Sequence, residues 1–318
     1  PNEPDEGPFV DPYDACTPIT PNARFVSEVW LRIGEYHFDL DFAPHALDRA
    51  ISAYNKVLAD PSDRNYNLAL YKVAWAYYRA SRYPEAIDHF SRLIDWSDEQ
   101  LRTTGRAGSE LRAEAVQYLG IAFAYDDWNE NQIPDRDEGS PEGLTRIQNP
   151  NLLPQDRPWT SEIYFELGQV YFEEAKYPEA VAVWEYALSR GPNHARAPEI
   201  TSSIAVAWQR HTEMERALEV QARLGEYREG SDWWNQNMDH PVEQRRAEQL
   251  AEGALINEAV RHHRTAQRLR QEAVREQSTQ RLEEALREYN LAGQAYGAYL
   301  QNYPNSPNSY ELQYNLAD

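Results

Sequence analysis

The stretch with the most chemistry in it is DDWNENQIPDRDEG, residues 126–139. With Asp127 as the first position of a twelve-residue loop, Asn129 falls at 3, Asn131 at 5, the Ile133 carbonyl at 7, Asp135 at 9 and Glu138 at 12. Hard oxygen ligands at alternating positions let a short loop wrap a calcium ion, and a carboxylate at the twelfth can bind it through both oxygens. Between 126 and 142 there are seven acidic residues and one arginine, net −6, a density that costs stability unless a cation or solvent screens it. Gln132 departs from the pattern, standing where glycine ordinarily permits the sharp turn. The spacing therefore predicts a structural calcium ion, which would rigidify a loop too long to be ordered by packing alone. The alternative is a solvated acidic loop.

Other chemistry is sparse. There is no HExxH, no GxSxG and no glycine-rich phosphate loop. His262 and His263 are adjacent, so on a helix they point about 100° apart and cannot form the i, i+4 pair that a metal site uses. They are expected to be solvated surface histidines. Glu173 and Glu174 read as solvent-facing helix charges. Cys16 is the only cysteine, which excludes an intrachain disulfide and a cysteine zinc cluster, and leaves a free or buried thiol. An enzyme is not supported.

Bulk composition narrows the partners. Lys plus Arg number 31 against 52 Asp plus Glu, a formal charge of −21, so a phosphate backbone would be repelled. No run of about 18 apolar residues is present, so no transmembrane segment is expected. Nine Trp, 21 Tyr and 8 Phe provide for an aromatic-rich core. The chain starts at Pro1 without Met and stops at QYNLAD in helical register, which reads as a fragment from which a leader has been removed.

The elements that must position these residues follow a helical period. In SEIYFELGQVYFEEAKYPEAVAVWEYALSRGP, residues 161–192, Tyr164, Leu167, Gly168 and Tyr171 fall at positions 4, 7, 8 and 11 of a 34-residue unit. Ala180, Trp184, Ala187 and Pro192 fall at 20, 24, 27 and 32, and together these resemble the tetratricopeptide repeat. Small residues let two antiparallel helices approach, and large ones fill the wedge to the next pair. Such a pair cannot cover its own apolar face, so neighbours are implied.

A first unit begins at Phe25, with Trp30, Ile33 and Gly34 at positions 4, 7 and 8. Its position 11 is His37, where a large aromatic is wanted, and Tyr36 and Phe38 could supply the bulk. In the second unit Leu70, Val73, Ala74 and Tyr77 precede Ala86, Phe90 and Leu93. RYPEA at 82–86 repeats KYPEA at 176–180, each starting a second helix with proline in its first turn, where a missing N–H costs nothing. A third unit has Leu119, Gly120 and Phe123, then an insertion, with a short helix expected near 140–148 capped by Ser140. A fifth unit spans 198–227. SDWWNQNMDHP then breaks the period, and 242–276 and 279–302 read as two long antiparallel helices followed by the start of another repeat.

The expected fold is all-α: a right-handed superhelix of antiparallel helix pairs, a tetratricopeptide-like α-solenoid with one acidic loop insertion. Its parts are a Pro-rich acidic arm (1–23), repeats (24–124), the insertion (125–160), further repeats (161–230), and a long hairpin opening a further repeat (231–318). In the tetratricopeptide family, first-helix positions 2, 5, 9 and 12 line a concave groove. The resemblance carries this onto Tyr71, Trp75 and Tyr78 and onto Phe165, Gln169 and Phe172. An aromatic groove suits an extended or helical peptide. The same rings could instead pack on neighbouring helices or under the arm, itself a candidate occupant.

The texture of RIGEYHFD, ALYKVAWAYYRASRYPEAI, NLLPQDRPWTSEIYFELG and ALINEAVRHH resembles repeat proteins of the myxobacterial and deltaproteobacterial cell envelope, some linked to gliding motility. The aromatic-apolar-Tyr-Pro-x-Ser ending near 299–306 is similar to the repeats of outer-membrane assembly lipoproteins and periplasmic coordinator proteins. These resemblances imply a non-enzymatic scaffold in the periplasm or at the outer membrane, binding a protein or peptide. The alternative is a self-associating subunit of a surface assembly stabilised by calcium.

Overall fold

A computed structural model describes residues 7–20, 23–138 and 142–317, leaving the side chains of Glu138 and of 315–317 aside. The described residues form fourteen α-helices and two short 3-10 turns, with no strand among them. The chain divides into two compact units, Pro1–Ala175 and Lys176–Asp318.

The first unit holds α1 (Val26–Asp39), α2 (Ala46–Leu58), α3 (Tyr66–Arg79), α4 (Tyr83–Thr104), α5 (Arg112–Ala124), α6 (Gly143–Ile147) and α7 (Thr160–Glu173). Helices α1 to α5 pack each on the next, and α5 packs on α7. The close approach within α1–α2 is made at Gly34, where a Cβ would run into the Tyr54 ring. Gly120 of α5 meets Glu166 of α7 in the same way, its missing Cβ lying 2.8 Å from the Glu166 Cβ.

One local device recurs. Ser81, Ala175 and Thr212 each follow a first helix at repeat position 15 with a left-handed φ of 54°, 60° and 66°. At two of them the next amide reaches back five residues, Arg82 N to Tyr77 O and Glu213 N to Trp208 O, each at 2.9 Å. This closes orphan carbonyls at the helix end and turns the chain into the second helix without glycine. Pro84 in α4 then sits in the first turn, as the RYPEA spacing predicts.

The insertion is more ordered than its composition implies. The third repeat keeps only the five-residue α6 as its second helix, starting at Gly143 with Glu142 as the capping residue. Gly143 lies against the Tyr171 hydroxyl and the Phe123 carbonyl, leaving no room for a Cβ. Ile147, Leu153 and Trp159 are fully buried, so packing does order this segment, contrary to the sequence expectation. Ser140 lies outside the described residues.

The arm settles on the first repeat. Tyr13 meets Trp30 edge-on at 5.4 Å and its hydroxyl lies 2.5 Å from His37 Nε2. Phe9 and the Gly7 carbonyl contact His45. The bulk wanted at position 11 thus comes from Tyr13 of the arm. Tyr36 does not supply it, since its ring is 54% exposed, and Phe38 lies under the Arg79 guanidinium.

The second unit holds α8 (Tyr177–Arg190), α9 (Ala197–Arg210), α10 (Met214–Ala222), α11 (Asp232–Gln236), α12 (Pro241–Glu276), α13 (Thr279–Asn302) and α14 (Ser309–Ala317). The stretch 161–192 therefore gives α7 to the first unit and α8 to the second. Trp233 of α11 is buried and donates its indole N–H to the His194 carbonyl at 2.8 Å, which anchors the aromatic turn. On α12 the buried residues Ala259, His262, Ala266, Leu269 and Ala273 alternate by three and four, the spacing of a two-helix seam. Small side chains there let α13 approach closely along Ala285, Ala292, Ala295, Tyr296 and Tyr299.

Candidate functional site

Tyr71, Trp75 and Tyr78 recur every three or four residues on α3 and so share a face. Trp75 is the hub. Its ring meets Tyr118 of α5 at 4.3 Å, Tyr78 at 5.6 Å and Tyr71 at 6.4 Å, each edge-on. Beneath them lies the fully buried Phe90 of α4, 6.3 Å from Tyr71, 6.4 Å from Trp75 and 5.9 Å from Tyr118. Tyr78 continues the row to the buried Tyr83 at 5.5 Å, which touches Tyr125 at 5.3 Å and stacks on Trp128 at 5.4 Å. Edge-to-face pairs add about 0.5–1.5 kcal/mol each beyond area burial. Tyr71, Trp75, Tyr78 and Tyr118 remain half-buried, so the face is both self-supporting and open to contact.

The polar edge of this face is fixed as well. The Tyr71 hydroxyl donates to Glu114 Oε2 at 2.6 Å. Loss of hydration, and then that carboxylate, push the Tyr71 phenol up to about 12. The phenol stays a neutral donor, and sequence reading gave no sign of the α3–α5 bond because its partners are 43 residues apart.

The other predicted groove residues are placed differently. Phe165 is 4% exposed and belongs to the core, so it does not line an open groove. Gln169 is exposed and donates to Glu173 at 2.8 Å, and Phe172 is half-buried.

The acidic loop makes a tight turn closed by its own side chains. Gln132, at the sixth position, adopts a left-handed φ of 69° despite its side chain, as Glu130 does at 57°. Asp127 accepts the amides of Asn131 and Gln132 at 3.0 Å, Asn129 accepts that of Asn131 at 3.0 Å, and Asn131 accepts that of Ile133 at 2.8 Å. The Ile133 side chain is exposed. Asp135 is committed elsewhere: it is buried, pairs with Arg146 and accepts the Trp128 amide at 2.9 Å. Arg146 also donates to the Tyr125 carbonyl at 2.6 Å and lies 4.2 Å over the Trp128 ring. Arg146, just beyond the acidic run, is thus the counter-charge that the composition leaves out. Among the described residues, no group of three or more His, Cys, Asp or Glu side chains is placed to hold a metal ion.

Of the two histidines, His262 is buried and His263 only partly so. His262 is 9% exposed, with Nδ1 2.6 Å from Glu288 Oε2 and Nε2 2.7 Å from Arg261 Nη2. The seam spacing of Ala259 and Ala266 around it was the available signal. His263 is half-exposed, 3.2 Å from the Tyr296 hydroxyl. Cys16 is an exposed free thiol. No described helix is long and apolar enough to cross a membrane.

No curated protein matches the chain. A family model described as "Tetratricopeptide repeat" matches residues 68–95, spanning most of α3 and the first half of α4. The densest part of the aromatic face is therefore built on a tetratricopeptide repeat.

Proposed function

We propose that the protein is a non-enzymatic scaffold that binds a protein partner on the aromatic face of its first unit. The observation that carries this is the half-buried row Tyr71, Trp75, Tyr78 and Tyr118 over Phe90, standing on the matched repeat. Rigid rings give large contact area at low entropic cost. Tetratricopeptide repeats commonly mediate protein–protein interaction, which supports the class of partner. The resemblance to envelope repeat proteins extends the proposal to the periplasm or outer membrane. The loop at 127–138 extends it to a stabilising calcium ion, with the condition that Asp135 already serves Arg146.

The test is affinity capture from an envelope fraction followed by crosslinking and mass spectrometry. The proposal expects crosslinks on α3 and α5, and loss of the captured protein on Trp75→Ala with Tyr118→Ala while the variant stays folded. Capture unchanged by both substitutions overturns the assignment of this face.

A further inference from the structure

The hydroxyls on the aromatic face of the first unit differ in what they are free to do. That of Tyr71 is committed to Glu114. Those of Tyr78 and Tyr118 have no hydrogen-bond partner among the described residues, yet neither oxygen is sealed from solvent in the way that the unpartnered Ser91 oxygen is. Loss of hydration pushes the Tyr78 phenol up, and the Tyr125 and Tyr118 phenols beside it add to that. Two neutral donors thus stand on an apolar row, one of them already partly stripped of water, and both within reach of an incoming acceptor.

Covering those donors without supplying acceptors would cost the complex their hydrogen bonds. A docked α-helix brings no free carbonyls along its length, because each is spent on an amide of its own backbone. A segment in the polyproline II conformation has no internal hydrogen bonds, so every carbonyl is free to accept. The spacing suits it too. Tyr71 and Tyr78 lie seven positions apart on α3, about 10 Å along the helix axis, and polyproline II climbs about 9 Å over three residues. The rings of Tyr71, Tyr78 and Tyr118 are inclined to Trp75 at 74°, 71° and 70°, which makes the surface corrugated and not flat. Both ends of the row carry carboxylates. Glu114 stands at Tyr71, and Glu130, which accepts from the Ser81 hydroxyl, stands by Tyr83 at the other end. Neither pairs with a cation among the described residues.

We infer that the aromatic face binds a proline-rich segment in the polyproline II conformation with basic residues at its end. Its prolines pack against Trp75 and the surrounding tyrosines, its carbonyls accept from the Tyr78 and Tyr118 hydroxyls, and a terminal Arg or Lys pairs with Glu114. Aromatic surfaces are a recurring platform for such preformed, low-entropy segments, and the charge sets orientation more than affinity. The inference rests on the reading of this face as the binding surface and names what that surface selects.

The test titrates the full chain into a fluorescein-labelled ten-residue polyproline peptide ending in two arginines and follows the anisotropy. The expected result is saturable binding with a Kd below about 1 mM, and binding at least about fivefold weaker for a glycine-serine peptide with the same arginines and for the polyproline ending in two glutamates. Tyr78→Phe with Tyr118→Phe keeps the rings and removes both donors, so it is expected to weaken polyproline binding by at least about fivefold with an unchanged melting curve. Equal binding of the glycine-serine peptide, tighter binding of an amphipathic helical peptide of the same charge, or full binding by the double phenylalanine variant overturns the inference. Absence of polyproline binding while a captured protein still depends on Trp75 and Tyr118 also overturns it, and leaves the face as a binding surface for another kind of segment. Capture that ignores both substitutions overturns the earlier reading as well.

Discussion

Arg146 and Asp135 form an ion pair with side chains 5% and 4% exposed, eleven residues apart in the insertion. The pair closes the acidic loop onto α6 and the end of α5. Removing one partner of a buried pair leaves an uncompensated charge and costs about 3–5 kcal/mol. Arg146→Ala and Asp135→Ala are each expected to lower the urea midpoint of the first unit accordingly. Arg146→Met with Asp135→Leu is expected to lose less than either single change. Additive losses in the cycle completed by Arg146→Ala with Asp135→Ala would remove the pair as the loop's lock.

Calcium gives a separate reading of the same loop. If 127–138 holds the ion, calcium raises the melting temperature and EDTA lowers it, and Asp127→Ala abolishes the response. A melting curve indifferent to EDTA leaves the loop held by the Arg146–Asp135 pair and by packing, without an ion.

Glycine substitutions separate crowded from open helix positions. A Cβ at Gly120 would sit 3.0 Å from the Glu166 carbonyl carbon, so Gly120→Ala is expected to destabilise by about 1–3 kcal/mol through overpacking. At Gly253 and Gly297, inside α12 and α13, an alanine methyl would meet nothing within 4 Å. Alanine there is expected to stabilise by up to about 1 kcal/mol through helix propensity alone. Chemical denaturation reads both signs.

The acid limb of stability should involve Asp41. Hydrogen bonds from Arg49, then the Ala43 amide, then His37 hold its carboxyl well below the usual carboxylate range. A carboxyl lowered in the folded state contributes stability that is present above its unfolded value and lost as pH falls toward its folded value. Melting temperature should therefore fall below about pH 4, and less steeply in Asp41→Asn. An unchanged slope in that variant would show the acid sensitivity to lie elsewhere.

His262 and Glu288 put a polar contact into a seam otherwise lined by Ala, Leu269 and Tyr. A polar residue at one seam position fixes register at a cost in stability. His262→Leu with Glu288→Leu is expected to raise the urea midpoint while allowing α12 and α13 to slide, which cysteine pairs placed one turn out of register would trap by disulfide formation. A less stable double variant would refute this role.

Much of the fold was legible because its signals are local. The long hairpin read as 242–276 and 279–302 stands at Pro241–Glu276 and Thr279–Asn302, since period, Pro241 and the Ser278 cap all act within one turn. What sequence reading missed depends on residues far apart in the chain: Glu288 finding His262, Tyr71 finding Glu114, and Tyr13 finding His37. For the insertion, reading charge density alone overlooked Ile147, Leu153 and Trp159, whose burial orders it. The groove register set Tyr71 and Phe165 at equivalent positions and left open whether their rings face a groove or neighbouring helices; Tyr71 stays half-buried and Phe165 is core, because spacing within one helix cannot report what packs over it.

The arm's contacts with the first repeat have a consequence for how the chain is made. Tyr13 and Phe9 are synthesised before the side chains they rest on, His37 and His45. At about 5–20 residues per second, the arm waits a few seconds with its rings uncovered until α1 and α2 form. The first repeat is thus finished backwards, by residues already synthesised, and a chaperone or a modifying enzyme has its opportunity on this segment during that interval.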